Sequence, residues 1–229
     1  MNLSNTDPKS KYSFNKPSNI IFLDFETTGL NTNELNVIEV AFKSLYRDDP
    51  GYSNFIKINE NLPERIIKLT NITDDMLQKY GKDEKIVIGE IYSYISTIHL
   101  SIGRNNPLYF IAHNGNTFDF VILKNLFNKY DLNIDKQWMF IDTLSLSRKL
   151  TGNYRNNSME KLCEKYNLVN PAPHRALGDV LTLMDIYILL SNDICNKNHY
   201  NIYTDKPGVI NKIIKSDTFP QYLIEYLKS

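Results

Sequence analysis

Residues 19–25 form a near-continuous apolar run, Asn-Ile-Ile-Phe-Leu-Asp-Phe, and a strand that is apolar on both faces needs cover on both sides. This predicts a central strand of a layered sheet. The run ends in charge: Asp24 and Glu26 lie two residues apart, so the two-residue repeat of a strand puts both carboxylates on one face.

Downstream, the apolar pattern changes period repeatedly. Segments 37–46 and 53–58 read as two further strands, and Asp49-Pro50-Gly51 between them is turn chemistry, so the first three strands form a meander. Helical pieces follow at 63–69, from Thr73 with Asp74 and Asp75 in its first turn, and at 83–98. Then strand 108–112, helix 118–130 and strand 139–141 alternate, with helices from Thr143, from Ser158 and over 174–191. Strands alternating with helices predict an α/β fold whose sheet has parallel members.

A chain of 229 residues, 42% hydrophobic, can bury one substantial core. The expected division is a polar N-terminal tail (1–18), a single domain (19–192) and a C-terminal extension (193–229). The extension carries a Lys206-Pro207-Gly208 breaker and a short amphipathic stretch at 222–227. Acidic and basic residues balance at 26 each, which excludes a global basic field for non-specific duplex binding; any nucleic-acid contact is expected to be local. Two cysteines exclude a disulfide framework, and Cys163 shares helical spacing with Met159, Leu162 and Tyr166, the pattern of an inert core thiol. With no apolar segment near the start and no run approaching ~18 apolar residues, the expectation is a cytoplasmic protein without a membrane partner.

Two more carboxylates join Asp24 and Glu26. Asp119 opens a helix, and Asp179 sits inside one, five residues after His174. Taken singly, each has a structural explanation: a solvated strand end, a helix cap, a surface histidine, an exposed helix acid. Jointly, four acids and one histidine are the donor set of a phosphodiesterase that uses two divalent ions about 3.5–4 Å apart. Hard oxygen ligands suit Mg2+ or Mn2+, whereas zinc favours His and Cys ligands. Asp24 is the candidate bridge between the ions, with Glu26, Asp119 and Asp179 completing the set. His174 is the candidate general base, since an imidazole titrates near working pH.

The wording of these clusters is specific. Phe22-Leu23-Asp24-Phe25-Glu26-Thr27-Thr28-Gly29-Leu30, Ala112-His113-Asn114-Gly115-Asn116-Thr117-Phe118-Asp119-Phe120 and His174-Arg175-Ala176-Leu177-Gly178-Asp179 resemble the three motifs of the DEDDh exonuclease superfamily. The linking patterns 69–77 and 141–144 fit as well, and the nearest wording is that of three-prime repair exonucleases and DNA polymerase III epsilon-like proofreaders. Arg175 stands where the tyrosine subclass carries its tyrosine, which indicates the histidine subclass. The resemblance implies a ribonuclease H-like fold, a mixed central β-sheet flanked by helices. It also implies 3′-to-5′ exonuclease activity that releases nucleoside 5′-monophosphates from single-stranded 3′ ends, with DNA favoured over RNA. An RNA-trimming enzyme of the RNase T or oligoribonuclease kind is the alternative enzyme. An inactive nucleic-acid-binding or polymerase-associated module is the alternative outside the enzymes.

For substrate contacts, Thr28 and Leu30 follow the metal strand, and in similar enzymes a leucine here wedges against the terminal base. Gly29 between them is expected to permit a tight turn. Phe118 is a candidate base-stacking ring, and Asn114 a candidate to contact the terminal sugar or orient Asp119. His113 reads as a packed, hydrogen-bonded histidine and Asp142 as a cap or loop anchor. A homodimer or a polymerase is the partner class some relatives use. The proline-rich insertion and hydrophobic anchor of some three-prime repair enzymes are not in this sequence, so their partners do not transfer with the motifs.

Overall fold

Cover on both faces is what the first strand receives. β1 (Ile20–Thr27) is the middle strand of a five-stranded sheet, in a computed structural model that describes residues 18–45 and 49–195. On one side β1 pairs antiparallel with β2 (Val37–Ser44), which pairs antiparallel with β3 (Tyr52–Phe55). On the other side it runs parallel to β4 (Leu108–Ala112), itself parallel to β5 (Trp138–Asp142). The order β3-β2-β1-β4-β5 is the expected meander joined to a parallel half. Asp49 closes the β2–β3 turn by accepting from the backbone N–H groups of Ser44 (2.7 Å) and Gly51 (3.0 Å), and Gly51 takes the left-handed φ of 75° that the turn needs.

The helices are α1 (Glu64–Thr70), α2 (Asp74–Tyr80), α3 (Glu84–Ile102), α4 (Asp119–Lys129), α5 (Thr143–Thr151), α6 (Met159–Tyr166) and α7 (Ala176–Cys195). Four open on a side chain that accepts from their first turn: Thr73, Asp83, Asp142 and Ser158. Several bounds shift by a few residues from expectation, and three of the shifts have a visible cause. β3 stops at Phe55 because the chain changes partner there: Ile56 bridges Lys82, and Lys82 donates to Phe55 O at 3.0 Å. α3 runs on to Ile102, where Gly103 at φ 89° ends it. α7 begins after His174, because His174 itself is left-handed at φ 59° and cannot be helical. The expected tail 1–17 and the segment 196–229, with its breaker and amphipathic stretch, lie outside the described residues.

Strand alternation sorts β1 between two cores. Ile20 and Phe22 face α5, α6 and α7, with Val180, Leu183 and Tyr187 opposite; the Phe22 and Tyr187 rings meet edge to face at 5.6 Å. Ile21, Leu23 and Phe25 face α3 and α4, against Ile91, Ile95, Phe120 and Phe127. Fully burying a side chain such as Phe22 contributes about 1.5–3 kcal/mol. Cys163 belongs to the α7-side core, and burial pushes its thiol up, as an inert thiol requires. Asp24 and Glu26 continue the face of Ile20 and Phe22, so the sheet aims them at α7.

Two glycines test how tightly α7 is seated. A Cβ on Gly178 would lie 2.4 Å from the carbonyl oxygen of Ala172, whereas one on Gly89, exposed on α3, meets nothing within 4 Å. Gly178→Ala is therefore expected to destabilise by ~1–3 kcal/mol through overpacking, and Gly89→Ala to stabilise by ~0.5–1 kcal/mol through helix propensity. Thermal melts of the two variants should shift in opposite directions; equal shifts would contradict the close seating of α7.

Candidate active site

The acids meet where β1 parts from β4. Pairing between those strands ends at Phe22 and Ile111, which leaves the last residues of β1 without a neighbour on that side. Asp119, the first residue of α4, fills the gap: its Oδ1 accepts from the backbone N–H of Phe25 at 3.2 Å, and the residue is 3% exposed. On the other edge the β1–β2 register shifts between Glu26 and Thr27, a bulge that re-aims the strand end. From above, the first turn of α7 delivers Asp179. Carboxylate oxygens of Asp24, Glu26 and Asp179 all lie within 4.8 Å of one another. Asp119 stands outside that set of three, beside Asp24 and held by the backbone.

Asp179 is built in rather than exposed. Its Oδ1 accepts from the Asn170 side-chain amide at 2.5 Å and its Oδ2 from the backbone N–H of His174 at 3.1 Å. That second bond closes the five-residue loop from His174 to Asp179, and it leaves the His174 side chain exposed at the rim.

Electrostatics mark the same residues. Burial holds the Asp24 carboxyl well above the usual range, and the charges of Asp119, Glu26, Asp179 and Glu39 push it further. Glu26 is raised to about 8 by burial and then by Asp179, Glu39 and Asp119, with Arg175 opposing. Asp119 is raised to about 7 by burial, partly offset by the backbone N–H groups it accepts from. Burial raises Asp179 too, against the Asn170 hydrogen bond and His174. Three carboxylates that repel one another at this range, with no histidine or cysteine among them, fit a hard divalent cation. The residues present therefore suit the ion that the motifs imply.

The expected contact residues divide. Leu30 stands 84% exposed just beyond the strand end. Thr28 spends its groups on the turn: its Oγ1 accepts from Asn36 N–H and its own N–H donates to Asn36 O, both at 2.9 Å. Gly29 does not take up left-handed backbone, and a Cβ there would make an ordinary contact with the Arg65 guanidinium at 3.8 Å. Phe118 is half-buried and packs on the core beneath α4, so it is in part a core residue. Asn114, exposed and left-handed at φ 64°, accepts from the Thr117 hydroxyl at 2.9 Å, so it orients Thr117 and not Asp119. His113 is packed, with Nδ1 2.9 Å from the Thr143 hydroxyl, and burial lowers its pKa. Asp142 is both cap and anchor: Oδ1 accepts from the N–H groups of Leu144 and Asn114, each at 2.9 Å.

Sequence reasoning missed three residues. Asn170 has no signal at that level. Glu39 had one, a lone charge inside the apolar run Val37-Ile38-Glu39-Val40-Ala41-Phe42. Arg175 served only as a subclass marker, yet it pairs with Glu39 across the site.

A family model described as an exonuclease, of the RNase T type, matches residues 21–187. Among curated proteins the chain is 29% identical over 190 residues to "Exonuclease DPD1, chloroplastic/mitochondrial" of Arabidopsis thaliana, covering 76% of this chain and 57% of that protein. It is 32% identical over 164 residues to a DNA polymerase III PolC-type of Halalkalibacterium halodurans, covering 71% of this chain and 10% of the polymerase. The chain thus spans just over half of the first relative and about a tenth of the second. Among solved structures, an exonuclease I superimposes with a TM-score of 0.64 at 15% identity, covering 85% of this chain and 42% of that one. E. coli exonuclease I in complex with a dA16 oligonucleotide gives 0.61 at 16% identity, covering 82% and 46%. At such identities the likeness is one of fold. None of the described helices is long and apolar enough to cross a membrane.

The acid cluster sets a pH dependence for the metal-free protein. Glu26 holds its proton up to about 8 when folded, against 4.5 for a free side chain, so across that window the folded state keeps a proton that the unfolded chain releases. Stability must fall as pH rises through the window, and recover below it. In EDTA, Glu26→Gln should melt above wild type at pH 8.5, by roughly 2–4 °C for each kcal/mol of repulsion relieved, with the gap closing toward pH 5. A variant that melts lower at pH 8.5 would show that this carboxylate is not repelled by its neighbours.

Proposed function

The chain belongs to the exonuclease family, and on that premise we propose that it removes nucleotides from the 3′ ends of single-stranded or frayed DNA, using two Mg2+ or Mn2+ ions. The observation that carries the proposal is the convergence of Asp24, Glu26 and Asp179 within 4.8 Å, with Asp119 beside them at the open end of β1. Such a cluster costs the fold stability and is useful only to cations. Asp24, Glu26, Asp119 and Asp179 would hold the ions. When bound, divalent ions supply Lewis-acid activation of water and neutralise charge on the leaving 3′ oxygen.

The remaining roles belong to this chain's side chains. His174, exposed on the loop tied to Asp179, takes the proton from the attacking water as the P–O3′ bond breaks. The products are a nucleoside 5′-monophosphate and a strand one residue shorter, its new 3′ oxygen protonated. Leu30, exposed just beyond the end of β1, wedges against the terminal base, while Phe118, partly seated in the core, contributes what contact its exposed part allows. Single strands are preferred because unpairing a terminal nucleotide costs a few kcal/mol. DNA over RNA is supported by the PolC-type DNA polymerases among the relatives and by exonuclease I, whose solved complexes hold dA16 and dT13. The same polymerase relatives support action alongside a polymerase.

Matched 5′-labelled single-stranded DNA, single-stranded RNA and recessed duplex, digested with Mg2+ or with EDTA, test the reading directly. DNA should be shortened from its 3′ end fastest, and EDTA should stop the reaction; faster loss of RNA would move the protein to the RNA-trimming class. Asp24→Ala or Asp179→Asn should remove nearly all activity, since the acids act as a unit. His174→Ala should slow turnover about 10²–10⁴-fold while Ca2+-supported binding of single strands holds. A His174→Ala variant that turns over like wild type would remove the histidine from the mechanism.

A further inference from the structure

Glu39 presents a physical problem that nothing in the proposed reaction uses. It lies directly across from Glu26 in the antiparallel β1–β2 pair, on the same face, and is 4% exposed. Like charges opposite one another on a sheet destabilise it, and a buried carboxylate left unpaired costs more. The compensation is complete. Arg175 Nε donates to Glu39 Oε2 at 3.1 Å and Nη2 to Oε1 at 2.8 Å, a two-pronged clamp, while Ala176 N–H donates to Oε2 at 3.0 Å. The guanidinium also lies 5.3 Å from the centre of the Phe55 ring on β3.

What this clamp holds is the junction that carries both His174 and Asp179. Ala176 is the first residue of α7, so Glu39 also places an acceptor at that helix's N-terminus. Arg175 O in turn accepts from Asp179 N–H at 2.9 Å, the first bond of the turn that presents Asp179. His174, one residue earlier, is left-handed at φ 59° with a β-carbon present, a conformation that persists only where its surroundings over-determine it. Two fixings bracket it: its own N–H on Asp179, and Arg175 locked to β2. The pair spans 136 residues of sequence and joins the sheet face that carries Asp24 and Glu26 to the loop that carries His174.

We propose that Glu39 and Arg175 are positioning residues that lock His174 into working geometry, an inference that rests on His174 being the general base. Arg175 acts through its neighbour and does not touch the reacting atoms. Two-pronged geometry is essential to the role, so lysine, which keeps the charge as a single point, cannot replace it.

The test is a double-mutant cycle on the full chain, with 5′-labelled single-stranded DNA in Mg2+. Arg175→Lys should lower kcat about 10–100-fold, the scale of a misplaced catalytic group, with KM and Ca2+-supported binding changed less than about 2-fold. Glu39→Gln, which keeps an acceptor for Ala176, should fall between Arg175→Lys and wild type, and it carries the cycle if Arg175→Lys does not fold. In the His174→Ala background either substitution should cost less than about 3-fold, because there is no longer a base to misplace. An equal loss in both backgrounds would show an ion pair that only holds the fold together and would overturn the inference while leaving His174 as base. An unchanged kcat in Arg175→Lys would overturn it as well. Wild-type turnover in His174→Ala alone would instead bring down the general-base reading, and this inference with it.

Discussion

Mutual repulsion among carboxylates that the fold refuses to separate is the constraint on which the rest of this structure depends. Asp24, Glu26 and Asp179 are brought within 4.8 Å by a strand and a helix whose positions are set elsewhere, by apolar packing of Ile20, Phe22, Val180 and Tyr187 on one face of the sheet. A chain selected for stability alone would place neutral groups there, since each raised carboxylate is a cost that grows with pH. The surrounding design answers that cost with donors: the Phe25 N–H for Asp119, Asn170 and the His174 N–H for Asp179, Arg175 for Glu39. Asp24 and Glu26 keep the strongest repulsion, which is the property a cation site needs.

Topology decides where this can happen. β1 pairs antiparallel on one side and parallel on the other, and its partnership with β4 ends early, at Phe22 and Ile111. Beyond that point the strand end has a free edge, and the loop after β4 turns away into α4. In α/β sheets such divergences at the carboxyl ends of strands are where ligands bind. Asp142 secures the geometry at one remove: at the end of β5 it caps α5 and grips the Asn114 N–H, which fixes the loop that delivers Asp119. The carboxylate outside the proposed ion-holding set therefore supports one, Asp119, proposed to belong to it.

Much of this was legible because local chemistry and global fold agree. The apolar run of β1, the caps at Thr73, Asp83 and Ser158, the turn at Asp49-Pro50-Gly51 and the acids at 24, 26, 119 and 179 each announce themselves within a few residues. What escaped is non-local. Nothing near Glu39 in sequence says that its partner is Arg175, 136 positions away, and nothing near Asn114 says that it turns toward Thr117. β3 ended early because Lys82, a residue from another element, competes for its backbone. Motif reading identifies which groups do chemistry; it does not identify the groups that hold them still.

Charge balance connects the two. Basic and acidic residues number 26 each, so the protein has no overall field to draw in a polyanion, and the site itself is lined with acids. On the proposed function, a phosphodiester approaching Asp24, Glu26 and Asp179 meets repulsion once these acids have lost their protons, until cations neutralise the charge. Arg175, the arginine placed beside these acids among the described residues, is already committed to Glu39. On the proposed function, cation binding and strand binding are coupled, each improving the other by the same factor. On that reading the acids do double duty: deprotonated, they repel nucleic acid from a site without ions, and they create the affinity for the ions that admit it.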